Sequence, residues 1–397
     1  MSYVLTKMTD IIEFNPRESI AKKQLCKKVP MEYLQPFTRQ ISGFEEAPYA
    51  GGTKFRNNDI IMARITPCLE NGKTAFVKGF AENEVVFGST EYIVMRAIPG
   101  HSDPTFIYYL ATSPSFREVA IKSMVGSSGR QRVQQDVLEN LELVLPDYET
   151  QVRVGKVLSA FDDKIELNTQ INHNLEEQVK AIFKSWFVDF EPFQDGTFVD
   201  SELGQIPAGW QVADVYSIAS VIYGAPFASK RFSAEKIGRP IVRIRDLATE
   251  APQVYTDEIH PKGYIIKPGD IVVGMDGEFR AYLWGGEEAW LNQRVCVFQP
   301  KDNFSSAFVR LSIMPLLAAV EASEVATTVI HLGKNDIDKF KIILPDAETL
   351  RKYNAVAVPI YKQIVENKLE SRRLAQLRDT LLPKLMSGEI DVSEVEI

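Results

Sequence analysis

Apolar residues recur at alternating spacings of three and four in two long segments, which begin after Pro146 and Pro345. In a seven-residue register, the a and d positions of the first segment are Leu158, Phe161, Ile165, Asn168, Asn172, Leu175, Val179, Ile182 and Trp186. The positions 199 residues later are Ala357, Ile360, Ile364, Asn367, Ser371, Leu374, Arg378, Leu381 and Leu385. This spacing predicts two long helices that pack together as an antiparallel coiled coil.

Two asparagines interrupt the apolar seam at equivalent positions, Asn168 and Asn367. A polar residue in a seam usually fixes the register of a coiled coil at some cost in stability. We therefore expect the two amides to pair across the seam. The alternative is that each helix packs separately on the surface of the globule that precedes it.

The segments that precede the two helices also repeat. Leu145–Thr150 and Leu344–Thr349 share the pattern Leu-Pro-Asp-x-Glu-Thr, half a chain apart. Upstream of each, the apolar runs 59–63 and 271–273 have the pattern of buried strands. The chain is therefore predicted to be α+β, a tandem pseudo-twofold repeat of two mixed α/β domains separated by the two long antiparallel helices.

These patterns also predict where the domains begin and end. The predicted parts are a first mixed α/β domain (1–145), a first long helix (146–190), a linker without periodicity (191–209), a second mixed α/β domain (210–344) and a second long helix (345–390).

Composition excludes some classes of protein. The chain has a net charge of −8, and residues 146–200 contribute much of it, with 5 Lys and Arg against 11 Asp and Glu. A DNA-binding face would therefore lie on the globules, and the acidic helix suits protein contacts better. No apolar run approaches the ~18 residues of a membrane span, and the three cysteines are too far apart for a disulfide framework or zinc site. We expect a cytoplasmic protein that binds no membrane.

Two polar loops of the first domain carry side chains suited to DNA. One is a turn-rich excursion between strands, and the other is a glycine- and serine-containing segment before the last strand. Arginine can bind guanine and glutamine can bind adenine through paired hydrogen bonds, and glycine lets the backbone approach a phosphate. The predicted contacts are Arg64, Thr66, Asn71, Lys73, Thr74, Ser127, Ser128, Arg130, Gln131 and Arg132. The alternative is a pair of flexible loops with solvated arginines.

The second domain has weaker counterparts at the same places. The predicted contacts there are Arg243, Arg245, Arg280, His331 and Lys334. Arg243 and Arg245 are expected to alternate on one strand face, which suits phosphate contact and a surface salt-bridge ladder equally.

No motif for catalysis is found in the sequence. It lacks a phosphate-binding loop, a dinucleotide-binding turn and the Asn/Asp-Pro-Pro-aromatic signature of adenine methylation. The four histidines are scattered, so we expect no metal site, no cofactor and no catalytic residue. Two rivals remain: a self-contained methyltransferase or nuclease, and a scaffold protein with no DNA role.

The two globules, each followed by Leu-Pro-x-x-Glu and a heptad helix, resemble the specificity (S) subunit of Type I restriction–modification enzymes. The first helical region from Leu145 to Phe190 is similar to that family's central conserved region, and Gly204–Trp210 and Leu381–Ile390 are similar to other parts of its framework. The resemblance implies that the mixed α/β domains are target-recognition domains for a two-part asymmetric site in double-stranded DNA.

The resemblance also implies partners. Two modification subunits would bring S-adenosylmethionine and methylate adenine, and restriction subunits using ATP and Mg²⁺ would join them.

A helix of about 39 residues would span roughly 58 Å, which would enforce a spacer of unread base pairs on the order of a helical turn of DNA.

Overall fold

The computed structural model describes residues 2–127, 129–323, 330–393 and 395. The chain divides into two compact units, of which unit 1 comprises Met1–Glu166 and Arg373–Ile397 and unit 2 comprises Leu167–Arg372. Both unit boundaries fall inside the long helices, so each long helix contributes to both units.

Unit 1 begins with a mixed α/β globule. Its strands are β1 (Tyr3–Lys7), β2 (Ile12–Phe14), β3 (Leu25–Val29), β4 (Glu45–Pro48), β5 (Lys54–Phe55), β6 (Asp59–Ala63), β7 (Thr74–Phe76), β8 (Val86–Gly88), β9 (Tyr92–Ala97) and β10 (Glu142–Pro146). Its short helices are α1 (Met8–Ile11), α2 (Pro104–Thr112), α3 (Pro114–Lys122) and α4 (Gln135–Glu139).

The central strands of this globule are buried on both faces. One sheet has the order β2-β9-β6-β7 and another has the order β4-β3-β8-β5, while β1 pairs with β10. Side chains of successive strand residues point to opposite faces, so Ile60 and Met62 of β6 join one core while Ile61 joins the other. This explains the uninterrupted apolar run that predicted a buried strand.

The first long helix leads into the strands of unit 2. Helix α5 spans Tyr148–Phe187, and the strands are β11 (Phe198–Ser201), β12 (Gly204–Pro207), β13 (Gln211–Asp214), β14 (Ala219–Tyr223), β15 (Phe232–Ser233), β16 (Arg239–Val242), β17 (Tyr255–Thr256), β18 (Ile265–Ile266), β19 (Ile271–Gly274), β20 (Ala281–Leu283), β21 (Ala289–Leu291), β22 (Val295–Pro300) and β23 (Lys341–Leu344). The remaining helices are α6 (Ser306–Ser323), α7 (Lys334–Ile337) and α8 (Ala347–Ser387).

Unit 2 repeats the sheet plan of unit 1. The order β14-β22-β19-β20 corresponds to β2-β9-β6-β7, and β13 pairs with β23 as β1 pairs with β10. A further sheet has the order β15-β17-β16-β21-β18. The tandem repeat of mixed α/β domains predicted from the sequence is therefore present in the fold.

Both long helices begin at an aspartate of the repeated motif. Asp147 accepts a hydrogen bond from the backbone N–H of Thr150 at 3.0 Å, and Asp346 accepts one from Thr349 at 2.9 Å. Each carboxylate pairs with an N–H that would otherwise have no partner in the first helical turn. The repeat of Leu-Pro-Asp-x-Glu-Thr thus reflects two equivalent helix starts.

The long helices run antiparallel within each unit. In unit 2, Asn172 donates to the backbone carbonyl of Ile364 at 3.2 Å, and the rings of Phe187 and Tyr353 lie 5.0 Å apart. Later residues of α5 therefore meet earlier residues of α8. All the residues assigned to the two seams are buried or half-buried.

The seam asparagines form a polar cluster in unit 2, but they do not form the symmetric side-chain pair that was expected. The Asn168 amide donates to Glu370 at 2.8 Å, to Ser371 at 3.2 Å and to the Asn367 carbonyl at 3.4 Å. The Asn367 amide donates to Asn172 at 2.8 Å instead. Because the two helices cross with Asn168 and Asn367 at slightly different heights, the Asn168 amide reaches residues that follow Asn367, and the Asn367 amide reaches Asn172, which follows Asn168.

Two expected stretches differ from the structure. The segment 191–209, expected to be an irregular linker, contains the β11–β12 hairpin, with Phe198 packed against the core of unit 2. Residues 138–145 alternate apolar and polar side chains, which predicts a strand over the whole run, but the strand begins only at Glu142, because Gln135–Glu139 form α4 and bury Leu138. Short apolar alternations fit a single helical turn as well as a strand.

Helix α6 corrects the expectation that no segment approaches the length of a membrane span. Its 18 residues are long and apolar enough to cross a membrane by length and composition. Phe308, Val309 and Ile313 are fully buried in unit 2, and Arg310 on the same helix donates to the Ala281 carbonyl at 2.7 Å. The first half of the helix therefore packs in the core of unit 2, whereas several residues of its second half are exposed.

Candidate nucleic-acid interface

The two loops predicted to contact DNA in the first domain lie side by side in unit 1. The backbone N–H of Thr66 donates to Gln131 at 3.0 Å, and that of Val133 donates to Arg64 at 2.9 Å. We call residues 64–74 and 125–133 loop pair 1. The two polar segments, far apart in sequence, therefore form one continuous surface.

Unit 2 joins its corresponding segments by the same bonds. The N–H of Gly277 donates to Ile330 at 3.1 Å, and that of Leu332 donates to Met275 at 2.8 Å. We call residues 275–280 and 330–335 loop pair 2. The two bonds that join the segments of loop pair 1 both have a counterpart here, so this junction belongs to the repeated framework.

Buried residues anchor both loop pairs to their globules. Val133 and Leu332 are both fully buried at corresponding positions. In loop pair 1, Arg117 donates to the carbonyl of Glu70 at 2.6 Å, and Lys73 donates to the carbonyl of Met31 at 2.9 Å. These contacts hold the loop in one shape while its outer side chains face solvent.

The predicted contacts of loop pair 1 differ in accessibility. Exposed side chains are Asn71, Ser127, Arg130 and Arg132, and half-buried ones are Arg64, Thr66, Lys73 and Gln131. Thr74 was wrongly assigned, because it lies in strand β7 and only 2% of its surface is exposed. Ser128 lies outside the described residues.

The cations of loop pair 1 are only partly neutralised. Arg132 forms an ion pair with Glu91 at 2.6 Å, and its hydrogen bond lowers the pKa of the Glu91 carboxyl. Arg130 is exposed and forms no ion pair with any described residue. Arg64 donates to the Val133 carbonyl at 3.2 Å, and its buried Nε has no hydrogen-bond partner in the described part of the chain. Arg130 thus keeps its hydrogen-bonding capacity for an acceptor outside the chain, whereas the unpaired Nε of Arg64 is buried.

Loop pair 2 pairs its cations with carboxylates. His331 Nδ1 lies 2.7 Å from Asp276, which Arg294 also approaches at 3.3 Å. Arg280 lies 2.7 Å from Glu321, and its hydrogen bond lowers the pKa of that carboxyl.

Lys334 of loop pair 2 lies 2.7 Å from Asp338. Its hydrogen bond, together with one from Tyr216, lowers the pKa of the Asp338 carboxyl. The three candidate DNA contacts of loop pair 2, Arg280, His331 and Lys334, therefore all have a carboxylate partner.

Arg243 and Arg245 do not alternate on a strand as expected. Strand β16 ends at Val242, and Ile244–Asp246 form a turn of 3-10 helix. Asp246 accepts from the Arg243 backbone at 3.0 Å and from its guanidinium at 3.2 Å, while Arg245 is exposed. The Asp246 carboxylate caps the turn that ends the strand, and the same carboxylate binds the Arg243 guanidinium.

Four charged residues in or beside the loop pairs were not identified from the sequence: Glu91, Asp276, Arg294 and Glu321. Glu91 and Arg294 occupy corresponding places, since their carbonyls accept from the backbone N–H groups of Arg64 and Met275 at 2.9 Å. A comparison of charges at repeated positions would have identified these two. Glu321 lies on α6, and only the fold shows its proximity to Arg280.

Exposed guanidinium, amide and hydroxyl groups beside a glycine-containing backbone can bind phosphates and base edges.

The described residues include no group of three or more His, Cys, Asp or Glu side chains that could hold a metal ion.

A family model described as the Type I restriction modification DNA specificity domain matches residues 3–177 and 207–378. The two matches correspond to the two halves of the internal repeat and together cover most of the chain.

Similar proteins carry related descriptions. The Type I restriction enzyme HindI specificity subunit of Haemophilus influenzae is 26% identical over an alignment that covers 88% of this chain and 90% of that protein. The MjaIX specificity subunit of Methanocaldococcus jannaschii is 29% identical over 73% of this chain and 70% of its own length. The crystal structure of a Type-I restriction-modification system S subunit from M. genitalium aligns over 97% of this chain and 96% of its own, with 15% identity and a TM-score of 0.52.

Proposed function

The chain belongs to the family of Type I restriction–modification DNA specificity subunits, and we propose that its two loop pairs read the two halves of an asymmetric DNA sequence. One observation carries the proposal: the same backbone hydrogen bonds hold both loop pairs, while their side chains differ. A repeated framework with unlike surfaces reads two unlike half-sites.

In this proposal, backbone groups and cations bind phosphates, and a few side chains reach base edges. Arg130 and Gln131 of loop pair 1 are the best placed for base contact, because the first is exposed and the second is half-buried beside it. Arginine to guanine and glutamine to adenine are the pairings that discriminate bases best. Loop pair 2 would use Arg280, His331 and Lys334, which must first leave their carboxylates.

We further propose that the chain is non-catalytic and acts in the cytoplasm with protein partners. Two modification subunits would bring S-adenosylmethionine and methylate adenine, and restriction subunits would use ATP and Mg²⁺. The duplicated framework supports two equivalent docking positions, and the names of the relatives support the type of system. The chain's role would be to place its partners at the chosen sequence.

An exchange of one globule tests the proposal of two independent half-sites. Residues 210–344 are replaced by the corresponding segment of a related specificity subunit, and methylated adenines are mapped in the DNA of a host expressing the chimera. We expect one half of the methylated sequence to change and the other half to remain. A change in both halves would contradict separate reading by the two loop pairs.

Activity assays separate this function from its rivals. The purified chain alone should transfer no methyl group and cut no DNA, whereas adding modification subunits should give S-adenosylmethionine-dependent methylation. Methyl transfer by the chain alone, above a heat-inactivated control, would favour a self-contained enzyme. A gel-shift assay with modification subunits present would favour a scaffold without a DNA role if no sequence-specific complex formed.

The length of the unread spacer remains a prediction about the long helices. Inserting four residues after Gln170 adds about 6 Å of helix, roughly two base pairs of DNA. The expected result is a longer spacer between unchanged half-sites, or loss of binding, because the insertion also rotates the second half of the helix about its axis. Methylation of the original spacing at the original rate would show that the helices do not set it.

A further inference from the structure

In unit 1, a buried arginine of the globule binds two acids of α5. Arg39 is 6% exposed and donates to Glu166 at 2.8 Å and to Asp163. Lys78 donates to the other oxygen of Glu166 at 2.8 Å. Burial alone would raise the pKa of Glu166, but its hydrogen bonds to Arg39 and Lys78 lower it. We call these four residues junction 1, in which the globule supplies cations and the helix supplies anions.

In unit 2, a buried acid of the globule binds two cations of α8. Glu250 is 8% exposed and accepts from Lys368 at 2.7 Å, and Arg372 approaches its other oxygen at 3.4 Å. Lys368 also donates to Leu283 at 2.8 Å, and Arg372 donates to Gly285 at 2.9 Å. A Cβ on Gly285 would lie 2.4 Å from the Lys368 side chain, so glycine permits this close approach. We call Glu250, Lys368 and Arg372 junction 2.

The two globule charges lie at the same sequence distance before an aspartate that caps a turn. Asp59, at the start of β6, accepts a hydrogen bond of 2.8 Å from the backbone N–H of Arg56. Asp270, just before β19, accepts one of 2.8 Å from that of Lys267. These aspartates are 211 residues apart, and so are Arg39 and Glu250. A cation at this place in unit 1 is therefore replaced by an anion in unit 2.

The two long helices also differ in charge at equivalent positions. Position 163 of α5 is aspartate, and the position 199 residues later in α8 is Lys362. Arg372 of α8 corresponds to His173 of α5. Helix α5 thus carries the anions that pair with Arg39 of the first globule, and α8 carries the cations that pair with Glu250 of the second. Neither helix has the matching charges at the equivalent positions.

We propose that these opposite charges specify which long helix each globule docks on. The repeat gives both globules and both helices the same framework, so shape alone discriminates weakly between correct and exchanged docking. Exchanged docking would bring Arg39 towards Lys362 and would leave Glu250 without its two cations. A buried charge without a partner is strongly unfavourable, so only one pairing of globules and helices satisfies both junctions.

Charge reversal in the full-length chain tests the electrostatic basis of junction 1. R39E should lower the unfolding temperature by about 10 °C, because it buries an anion against two others. Reversing all four charges together (R39E/K78E/D163R/E166R) should recover most of that loss. The size-matched R39M should lie between the wild type and R39E.

A surface pair of α8 provides the matched control. Lys352 and Glu348 are 2.8 Å apart with side chains 61% and 66% exposed, and exchanging them should lower the unfolding temperature far less than R39E, because an exposed pair and a charge in the first helical turn are each worth about 1 kcal/mol or less. If the fourfold reversal is as unstable as R39E, or R39M is as stable as the wild type, the charge of junction 1 is not the determinant. Unfolding needs no DNA or partner, so this result is independent of the proposed function.

A chimera tests discrimination between the two helices. Residues 210–344 of the full chain are replaced by a second copy of residues 1–145, with α8 either native or carrying K362D and V365E, which recreate the partners of Arg39. We expect more soluble protein and a higher unfolding temperature, by about 5 °C or more, from the chimera with the two substitutions. In the native chain the same substitutions should be destabilising, because Val365 packs against the core of unit 2. Equal recovery and equal unfolding temperatures of the two chimeras would overturn the proposal.

Discussion

The loop pairs of the two units share their backbone hydrogen bonds but differ in how their cations are paired. In loop pair 1, Arg130 is exposed without an ion pair to a described residue, and Arg64 has a buried Nε without a partner there. In loop pair 2, His331 and Lys334 are each 2.7 Å from a carboxylate. The comparison shows that two copies of one framework can keep the same backbone geometry while the ion pairing of their cationic side chains differs.

This difference has a thermodynamic meaning. A cation that is already free gains the full attraction of a phosphate, whereas a paired cation must first give up its carboxylate. Loop pair 1 should therefore contribute more of the salt-dependent affinity for DNA. Loop pair 2 should contribute more to sequence specificity, because its side chains leave their carboxylates only where a base contact replaces the ion pair.

The largest expected effect comes from breaking the shared framework. Val133→Asp and Leu332→Asp each place a carboxylate at a fully buried anchor, and each should destabilise its unit by about 3 kcal/mol or more. Thermal unfolding and DNA binding measure the loss, which should be similar in the two units. Val137→Asp, at a site 39% exposed, is the control and should change stability by less than about 0.5 kcal/mol. Unequal losses at the two anchors would show that the frameworks are not equivalent.

The next effect should distinguish the two sets of cations. Arg130→Gln should weaken DNA binding by about 1 kcal/mol and lower the salt-dependence slope by about one. Lys334→Gln should do less of both, because the Lys334 ammonium is already held by Asp338. Affinity titrations at several salt concentrations check this. If Lys334→Gln reduced the slope more than Arg130→Gln, the ranking of the loop pairs would be reversed.

A smaller effect, in the direction of tighter binding, should follow from removing a carboxylate. Asp276→Asn releases Arg294 and His331, and we expect non-specific DNA affinity to rise about threefold, on the order of 0.6 kcal/mol. Asp302→Asn, which removes an exposed acid outside the loop pairs, is the matched control. The comparison of loop pairs would fail if both variants raised affinity equally or neither did.

The smallest effect concerns pH. The pKa values of Glu91 and Glu321 are lowered in the folded protein by hydrogen bonds from Arg132 and Arg280. Their ionised forms therefore stabilise the fold above the ordinary value of 4.5, and this contribution is lost as pH falls through the lowered values. Glu91→Gln/Glu321→Gln should lower the unfolding temperature by about 1–2 °C at pH 7. The difference from the wild type should vanish near pH 3, and a constant difference at all pH values would contradict this origin.

Sequence patterns predicted the long helices and the repeat because these depend on local spacing. The capping aspartates Asp147 and Asp346 and the heptad stripes need no knowledge of distant residues. The adjacency of the two loops in each unit was not predicted, because backbone bonds such as Val133 to Arg64 depend on the sheet order between them. The polar loops were identified by composition, and the fold explains why they come in pairs.

Individual site residues were less predictable, for physical reasons. Thr74 looked like a loop residue, but strand β7 begins there and buries its side chain. Arg243 looked like a strand residue, but the Asp246 carboxylate ends the strand by capping a turn. Arg39 and Glu250 gave no signal in sequence, because their role depends on helices more than a hundred residues away.

The composition of unit 1 has a consequence for the order of folding during synthesis. Its core includes Leu382, Leu385, Met386 and Val392 beside Val154 and Leu158, so the first globule cannot complete its core until the chain has been made as far as residue 392. Unit 2, which spans Leu167–Arg372, can fold before that point. The nascent chain would therefore close its second half first and its first half last. A truncation before residue 373 should leave an incomplete first globule prone to aggregation even though all its strands are present.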